Sequence, residues 1–449
     1  MNFISRIAAF FRGRNRTQVP PRVYRALDEL TPQQYFDLLE AYYLNNGLYD
    51  EITLALRALS IYHEGLKPLR NPANRAVEFY ASTLWNAPFQ ILTKNAPLVA
   101  AIEKIHEWSN WAEQKQVFVR WLATFGNQFT KVAQSDDGER VFLQNLKPQY
   151  VTDYEADVRG YLTMCRIDTP VIVAGKNLTR TEVWDKPTQT LRIWDAHSQS
   201  AAPLEMLGAA SSVTPFAEFR IDFVPIVHTK LRAVGNKRGV GAFVMALDKI
   251  DEANLLATRL HQMLFRNNRV LWALMAKATD ASGRPLPPPN VTTNNDNSAT
   301  DPFYELGEDR MVRLPGNAEL ASLVPDLNYD AALKILQDQM VEIEHDLPEL
   351  AYYRIRDMNE IAAETVRLLL TDATNRLLEA RNNAEAALVR LDAMALTIAS
   401  NARLKGFESL GSFENGDFAH SFAAREVIAI SEKERAETIK TTKESGVPL

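Results

Sequence analysis

The stretch that most restricts how this chain can fold is 357–404, opening DMNEIAAETVRLLLTDATNRLLEARNN and closing LTIASNARL. It contains no glycine or proline. Asp357 suits an N-cap, and Glu360 three residues on completes a capping-box pattern. Leu370, Leu377, Ala384, Leu391 and Ile398 form one row at heptad spacing, and Ala373, Ala380, Ala387 and Met394 form a second. At ~1.5 Å per residue an uninterrupted helix over 358–404 would be roughly 70 Å long. The usual helix is only ~11–12 residues. A helix of that length must lie against neighbours along its whole course. The mostly alanine second row permits close approach of whatever packs there. Those neighbours are either an internal helical hairpin or further copies of the same chain.

A length of 449 residues allows two or three compact regions. Hydrophobic residues at 46% and charged ones at 24% are ordinary for a globular chain. The single cysteine, Cys165, excludes an internal disulfide framework and a cysteine-rich zinc site, and fits a reducing compartment. A net charge of -6 argues against a broad basic face gripping nucleic acid. No apolar run approaches the ~20 residues of a membrane span. The first residues, MNFISRIAAFFRGRNR, are basic and amphipathic without a signal peptide's apolar core; a terminal arm over 1–30 is expected.

Periodicity then divides the chain. Residues 31–46, 50–65, 73–87 and a pair across 97–126 read as helices, with Thr31 capping the first. At 129–146 the period becomes alternating: FTKVAQ, the turn SDDGE and RVFLQNL form a hairpin turned at Asp137-Gly138. YVTDYE, GYLTMCRI, RTEVWD, TLRIWDA and FRIDFVPIVHTKL follow as strands. Helical pattern returns from Gly239, yields to the proline- and asparagine-rich 279–302, and resumes over 329–347. Helices followed by strands make the expected class α+β and helix-rich.

No catalytic constellation is present. There is no GxxxxGK[ST] loop and no HExxH. The GxG of Arg238-Gly239-Val240-Gly241 lacks a third glycine and reads as a helix start. His106-Glu107 and His345-Asp346 point to different helix faces and make poor metal ligands. The expectation is a non-enzyme with no cofactor and no metal. The linker 348–357 holds Tyr352, Tyr353, Arg354 and Arg356. Such residues in a loop can contact nucleic acid; alternatively the tyrosines pack on adjacent helices and the arginines pair with Glu349 or Asp357.

Four passages, NPANRAVEFYASTLWNAP, WLATFGNQFTKVAQSDDGERVFLQNLKPQYV, FVPIVHTKLRAVGNKRGVGAFVMALDKIDEANLLATRL and DLPELAYYRIRDMNEIAAETVRLLL, occur in an order and spacing that resembles the portal proteins of tailed double-stranded DNA bacteriophages. The likeness spans about 70–400. It implies a ring, of twelve subunits in the family's usual form, at one capsid vertex of a virion assembled in the host cytoplasm. Double-stranded DNA would pass through the axial channel. The implied divisions are a wing at 31–239, stem helices at 240–266 and 329–347, and a clip at 267–328. A tunnel loop at 348–357, a long wing helix at 358–404 and a short crown at 405–449 complete them.

The resemblance further implies that Tyr352, Tyr353, Arg354 and Arg356 meet DNA. Arg284, Pro287, Pro288 and Asn290 of the clip would dock the terminase packaging motor and then the head–tail adaptor. Capsid and scaffolding proteins would be further partners, and no membrane is involved. Asp338, Glu342, Glu344 and Glu349 are candidates to line the channel, because acidic groups repel phosphate and keep a conduit from holding its cargo; a solvated outer helix face is the plain alternative. The rivals are a packaging enzyme, which the missing phosphate loop opposes, and a helical virion scaffold or connector that never touches DNA.

Overall fold

A computed structural model describes residues 31–45, 71–86, 88–198, 202–268, 272–276, 282, 284, 303–306, 309–312, 318–322, 329–356, 363–408, 410 and 418–425. The expected arm at 1–30 and helix at 50–65 lie outside the described residues. Two compact units share the chain. Of the described residues, the first holds those up to and including Leu247 and those from Glu344 onward; the second holds those of Asp248–Ile343.

The first unit begins with helix α1 (Pro32–Leu44), whose Thr31 hydroxyl accepts from the Gln34 N–H while the Gln34 side chain accepts from the Thr31 N–H. That reciprocal cap, with proline at the first helical position, is why the helix starts there. Helix α2 (Ala73–Thr83) buries Val77, Tyr80 and Ala81. After a short strand β1 (Ile91–Leu92), helices α3 (Ala96–Trp108) and α4 (Trp111–Phe125) follow as expected. The hairpin of β2 (Asn127–Gln134) and β3 (Val141–Leu146) turns at Gly138, whose φ of +71° suits glycine.

Strands β4 (Val151–Ala156), β5 (Leu162–Val173), β6 (Lys176–Asp185), β7 (Thr190–His197) and β8 (Ser212–Pro215) form an antiparallel five-stranded meander. Only Ile226–Lys230 of the predicted strand FRIDFVPIVHTKL is one; as β9 it pairs with β2 to complete the three-stranded sheet β3–β2–β9. The segment before it ends at Pro225, which has no N–H to give a ladder. Its carbonyl accepts from Val132 instead.

The second unit runs from helix α5 (Leu247–Asn268) through strands β10 (Trp272–Ala276), β11 (Phe303–Leu306), β12 (Asp309–Val312) and β13 (Ala318–Ser322) into helix α6 (Tyr329–Asp346). The strands make one sheet in the order β11–β12–β10–β13, with β10 parallel to β12 and antiparallel to β13. The sequence pattern read 267–328 as irregular apart from a strand near 310–316. It missed this sheet because a long polar stretch parts β10 from β11 and the later strands are only four or five residues each.

Two corrections concern the return to the first unit. The expected loop 348–357 contains helix α7 (Leu350–Arg356). Pro348 stops α6 but stands just ahead of a run without glycine or proline, where its carbonyl accepts from Ala351 and helps start the turn. The single helix expected over 358–404 is two, α8 (Ala363–Leu369) and α9 (Thr371–Asn401), joined at Leu370. Leu370 leaves helical geometry (φ -96°, ψ 2°), although its N–H still reaches Val366. Asp357 and its capping box lie outside the described residues.

Both heptad rows are nevertheless real. From Leu370 to Ile398 every member is buried except Met394, which is half-buried. Within the chain their cover is not a helical hairpin: α9 packs on β9, β3, β2 and α3. The alanines Ala380, Ala384 and Ala387 let the helix approach the sheet, and each leucine buried there contributes about 1.5–3 kcal/mol. A closing strand β14 (Ser421–Phe422) pairs antiparallel with β1.

Candidate channel and docking residues

Helix α7 turns its aromatic residues inward. The Tyr352 ring meets Phe79 edge-on at 5.6 Å, and the Tyr353 hydroxyl donates to the Arg75 carbonyl at 3.0 Å. The Arg75 guanidinium lies 5.9 Å from the Tyr353 ring centroid. Arg354 is exposed and pairs with Glu344 at 2.9 Å, not with Glu349; Asp357 lies outside the described residues. An exposed pair of this kind is worth ~0–1 kcal/mol. Arg356 closes the helix; its side chain lies outside the described residues. The two tyrosines therefore follow the packing alternative.

The four acidic candidates separate. Asp338 is exposed, and Glu342 is largely exposed with Lys249 at 3.6 Å. Glu344 is half-buried against Arg354. Glu349 is fully buried, which corrects its expected place on a channel wall: Tyr80 Oη donates to Oε1 at 2.7 Å, and Arg376 Nη1 stands 3.6 Å away. Burial pushes the Glu349 carboxyl above its ordinary range, since the Tyr80 bond and the offset arginine do not repay the lost hydration. Of the docking candidates, Arg284 is exposed, while Pro287, Pro288 and Asn290 lie outside the described residues.

Sequence reasoning missed the polar centre of the first unit. Asp392, on α9, is fully buried between His106 of α3 at 2.9 Å and His420 at 3.3 Å. Burial pushes its carboxyl up, but the two imidazoles outweigh burial and hold it below the usual range. Burial lowers His420; the bonds to Asp392 and to the Phe418 carbonyl win and leave it raised. About three turns earlier on α9, the buried Arg381 guanidinium donates to the carbonyls of Thr83 and Leu84, the open C-terminal end of α2, and to the Arg425 carbonyl. These contacts fasten 418–425 to α9. The available signal was an aspartate inside the apolar stripe LVRLDAMALTIA.

A second knot joins two of the passages quoted above. A Cβ on Gly126 would stand 2.4 Å from the Gly241 nitrogen, and one on Gly239 would stand 2.3 Å from the Gly126 carbonyl oxygen. Asn127 accepts from the Gly239 N–H at 2.8 Å and bonds His228 Nε2 at 2.9 Å. His228 stacks on Phe129 at 4.4 Å; burial, then nearby cations, lower it to about 3, so the ring is neutral. The glycines at 239 and 241 thus serve backbone contact and do not begin a helix, which starts at Leu247 after a single 3-10 turn. Among the described residues no group of three or more His, Cys, Asp or Glu could hold a metal ion, and no helix is long and apolar enough to cross a membrane.

No family model matches the chain, and no curated protein matches its sequence. Among solved structures it is similar to a chain in the virion of a native gene transfer agent particle, at 11% identity and TM-score 0.41 over 99% of this chain and 95% of that one. A chain from the neck of a native particle, computed with C12 symmetry, shares 11% identity at TM-score 0.43 over 84% and 86%. A chain from the neck of an empty particle, computed with C6 symmetry, shares 13% at TM-score 0.39 over 77% and 81%.

Proposed function

We propose that this chain is a portal-type protein: a non-enzymatic ring at one capsid vertex of a virion, through which double-stranded DNA enters and leaves. The observation that carries the reading is the surface of α6. Leu336 and Ile343 are its buried side. Opposite them, at 3.6 residues per turn, an arc carries the exposed Asp330, Asp338 and Glu342, with the exposed Lys334, Val341 and His345 among them. Leu333 and Ile335, 44% and 53% exposed, lie on the two flanks of that arc. A helix with uncovered apolar side chains beside a face that carries three acids against one lysine suits a place between two copies of itself, with the net acidic face toward a shared lumen. Phosphate would then meet repulsion instead of the lysines and arginines that make DNA stick.

The order of parts supports the same reading. A helix–sheet–helix insertion interrupts the first unit after Leu247 and returns at Glu344, as a stem–clip–stem would. On this reading the sheet β10–β13, with Arg284 and its neighbours Pro287, Pro288 and Asn290, docks the terminase motor and the head–tail adaptor. Capsid and scaffolding proteins contact the same ring. The measurement is native mass spectrometry with negative-stain images of the purified protein. A closed ring is expected, lost in Leu333→Asp/Ile335→Asp. A monomer that persists with scaffold or capsid protein added sinks the proposal.

A connector that never touches DNA is the second reading, favoured by the inward engagement of Tyr352 and Tyr353. Asp338→Lys with Glu342→Lys separates the two. A lined channel would package DNA more slowly in that variant, whereas a connector without DNA contact would package normally.

A further inference from the structure

The geometry points to a carboxylate-binding pocket in the first unit, between the β4–β5 turn, the segment leading into β9, and α9. The cavity holds about 130 Å³. Its apolar lining includes the buried Leu162, Val224 and Ile226 with the half-buried Met394, and its rim carries Tyr161, Arg390 and Lys186. Two guanidinium groups lie over the Tyr161 ring, Arg159 at 5.0 Å and Arg390 at 5.4 Å from its centroid. They are not equivalent. Arg159 is paired with Asp157 at 3.1 Å, and that carboxylate also accepts from the N–H groups of Arg159 and Tyr161. Arg390 has only a long bond from Nε to the Ala386 carbonyl, 3.4 Å, and no carboxylate of the described residues pairs with it.

A half-buried guanidinium with no counter-ion keeps donors available at the mouth of the cavity. Burial lowers its pKa, with only Tyr161 opposing. Arginine offers five donors in a planar fork that suits a two-oxygen anion. Lys186, exposed at the rim, adds a second positive charge, while the one acidic lining residue, Asp157, is already committed. The neutral His228 on the inner wall contributes no charge of its own. The apolar floor keeps the effective dielectric low, which strengthens a charged hydrogen bond made there. A volume near 130 Å³ takes a few water-sized groups. That excludes a nucleotide and fits a carboxylate on a short apolar stem, such as an acidic side chain. This inference stands apart from the channel reading.

The probe is sodium butyrate, titrated at constant ionic strength into the full chain labelled with ¹³C at methionine methyls, with inorganic phosphate as a parallel arm. The Met394 methyl signal should move with butyrate. Arg390→Gln should weaken the response at least roughly tenfold, since it removes the charge-assisted fork. Lys186→Gln, an exposed change that leaves the core alone, should weaken it several-fold. Arg390→Lys should restore part of it. An immobile Met394 signal, or an unchanged response in both Arg390→Gln and Lys186→Gln, overturns the proposal. Movement with phosphate but not butyrate overturns the carboxylate assignment.

Discussion

Two carboxylates of the first unit are buried to the same degree and behave oppositely. Asp392 sits between two imidazoles and is held ionised below its usual range. Glu349 faces a phenol and a guanidinium that stands too far off, and is pushed above its range. Burial is the largest influence on both and raises both. What differs is whether the partners that replaced water favour the charged form enough to outweigh it. The comparison teaches that a buried acid is read from its partners.

The comparison can be broken by mutation. Asp392→Ala is expected to have the largest effect, about 3–5 kcal/mol of lost stability, because it leaves two buried imidazoles facing a void. Thermal or denaturant unfolding measures it, and release of 418–425 should appear as faster amide exchange at Ala423, whose N–H now bonds the Gln90 carbonyl. Glu349→Ala should cost less, about 1–3 kcal/mol, by orphaning the Tyr80 hydroxyl.

Acid pH sharpens the contrast, because the signs differ. The lowered carboxyl of Asp392 contributes stability above the unfolded aspartate value of ~3.9, lost as pH falls through its folded value. The raised carboxyl of Glu349 contributes the other way: its share is full below ~4.3 and is lost as pH rises through its folded value. Asp392→Asn should therefore flatten acid destabilisation, and Glu349→Gln should steepen it. His420, raised by Asp392, holds the closing strand best below ~6.5 and lets go as pH climbs through its folded value. Amide exchange at Ala423 should accelerate over that rise and lose its pH dependence in His420→Gln. The smallest effect belongs to Glu349→Gln at neutral pH. Within about 1 kcal/mol of no change is expected, since the amide oxygen still accepts from Tyr80 and no charge is buried.

Local chemistry was legible in the sequence. The Thr31–Gln34 cap, the Asp137-Gly138 turn and the two rows on α9 each depend on residues close in the chain, and each formed at its expected place. Features settled by distant partners were not legible. Pro348 reads equally as the end of one helix and the start of the next. Glu349 looks like any surface acid until Tyr80 is brought against it. The glycines at 239 and 241 read as punctuation, because the backbone they approach lies more than a hundred residues earlier. Asp392 was the exception, a charge misplaced in an apolar stripe.

The way α9 covers the first unit has a consequence for biosynthesis. Strands β2, β3 and β9 are complete by residue 230, yet the helix that shields them ends at Asn401. At ~5–20 residues per second a ribosome needs on the order of ten seconds to half a minute to bridge that gap. Throughout that interval the emerging chain presents an uncovered β surface of valines and phenylalanines, so chaperone occupancy on nascent chains should peak between the two points and fall once Asn401 clears the exit tunnel.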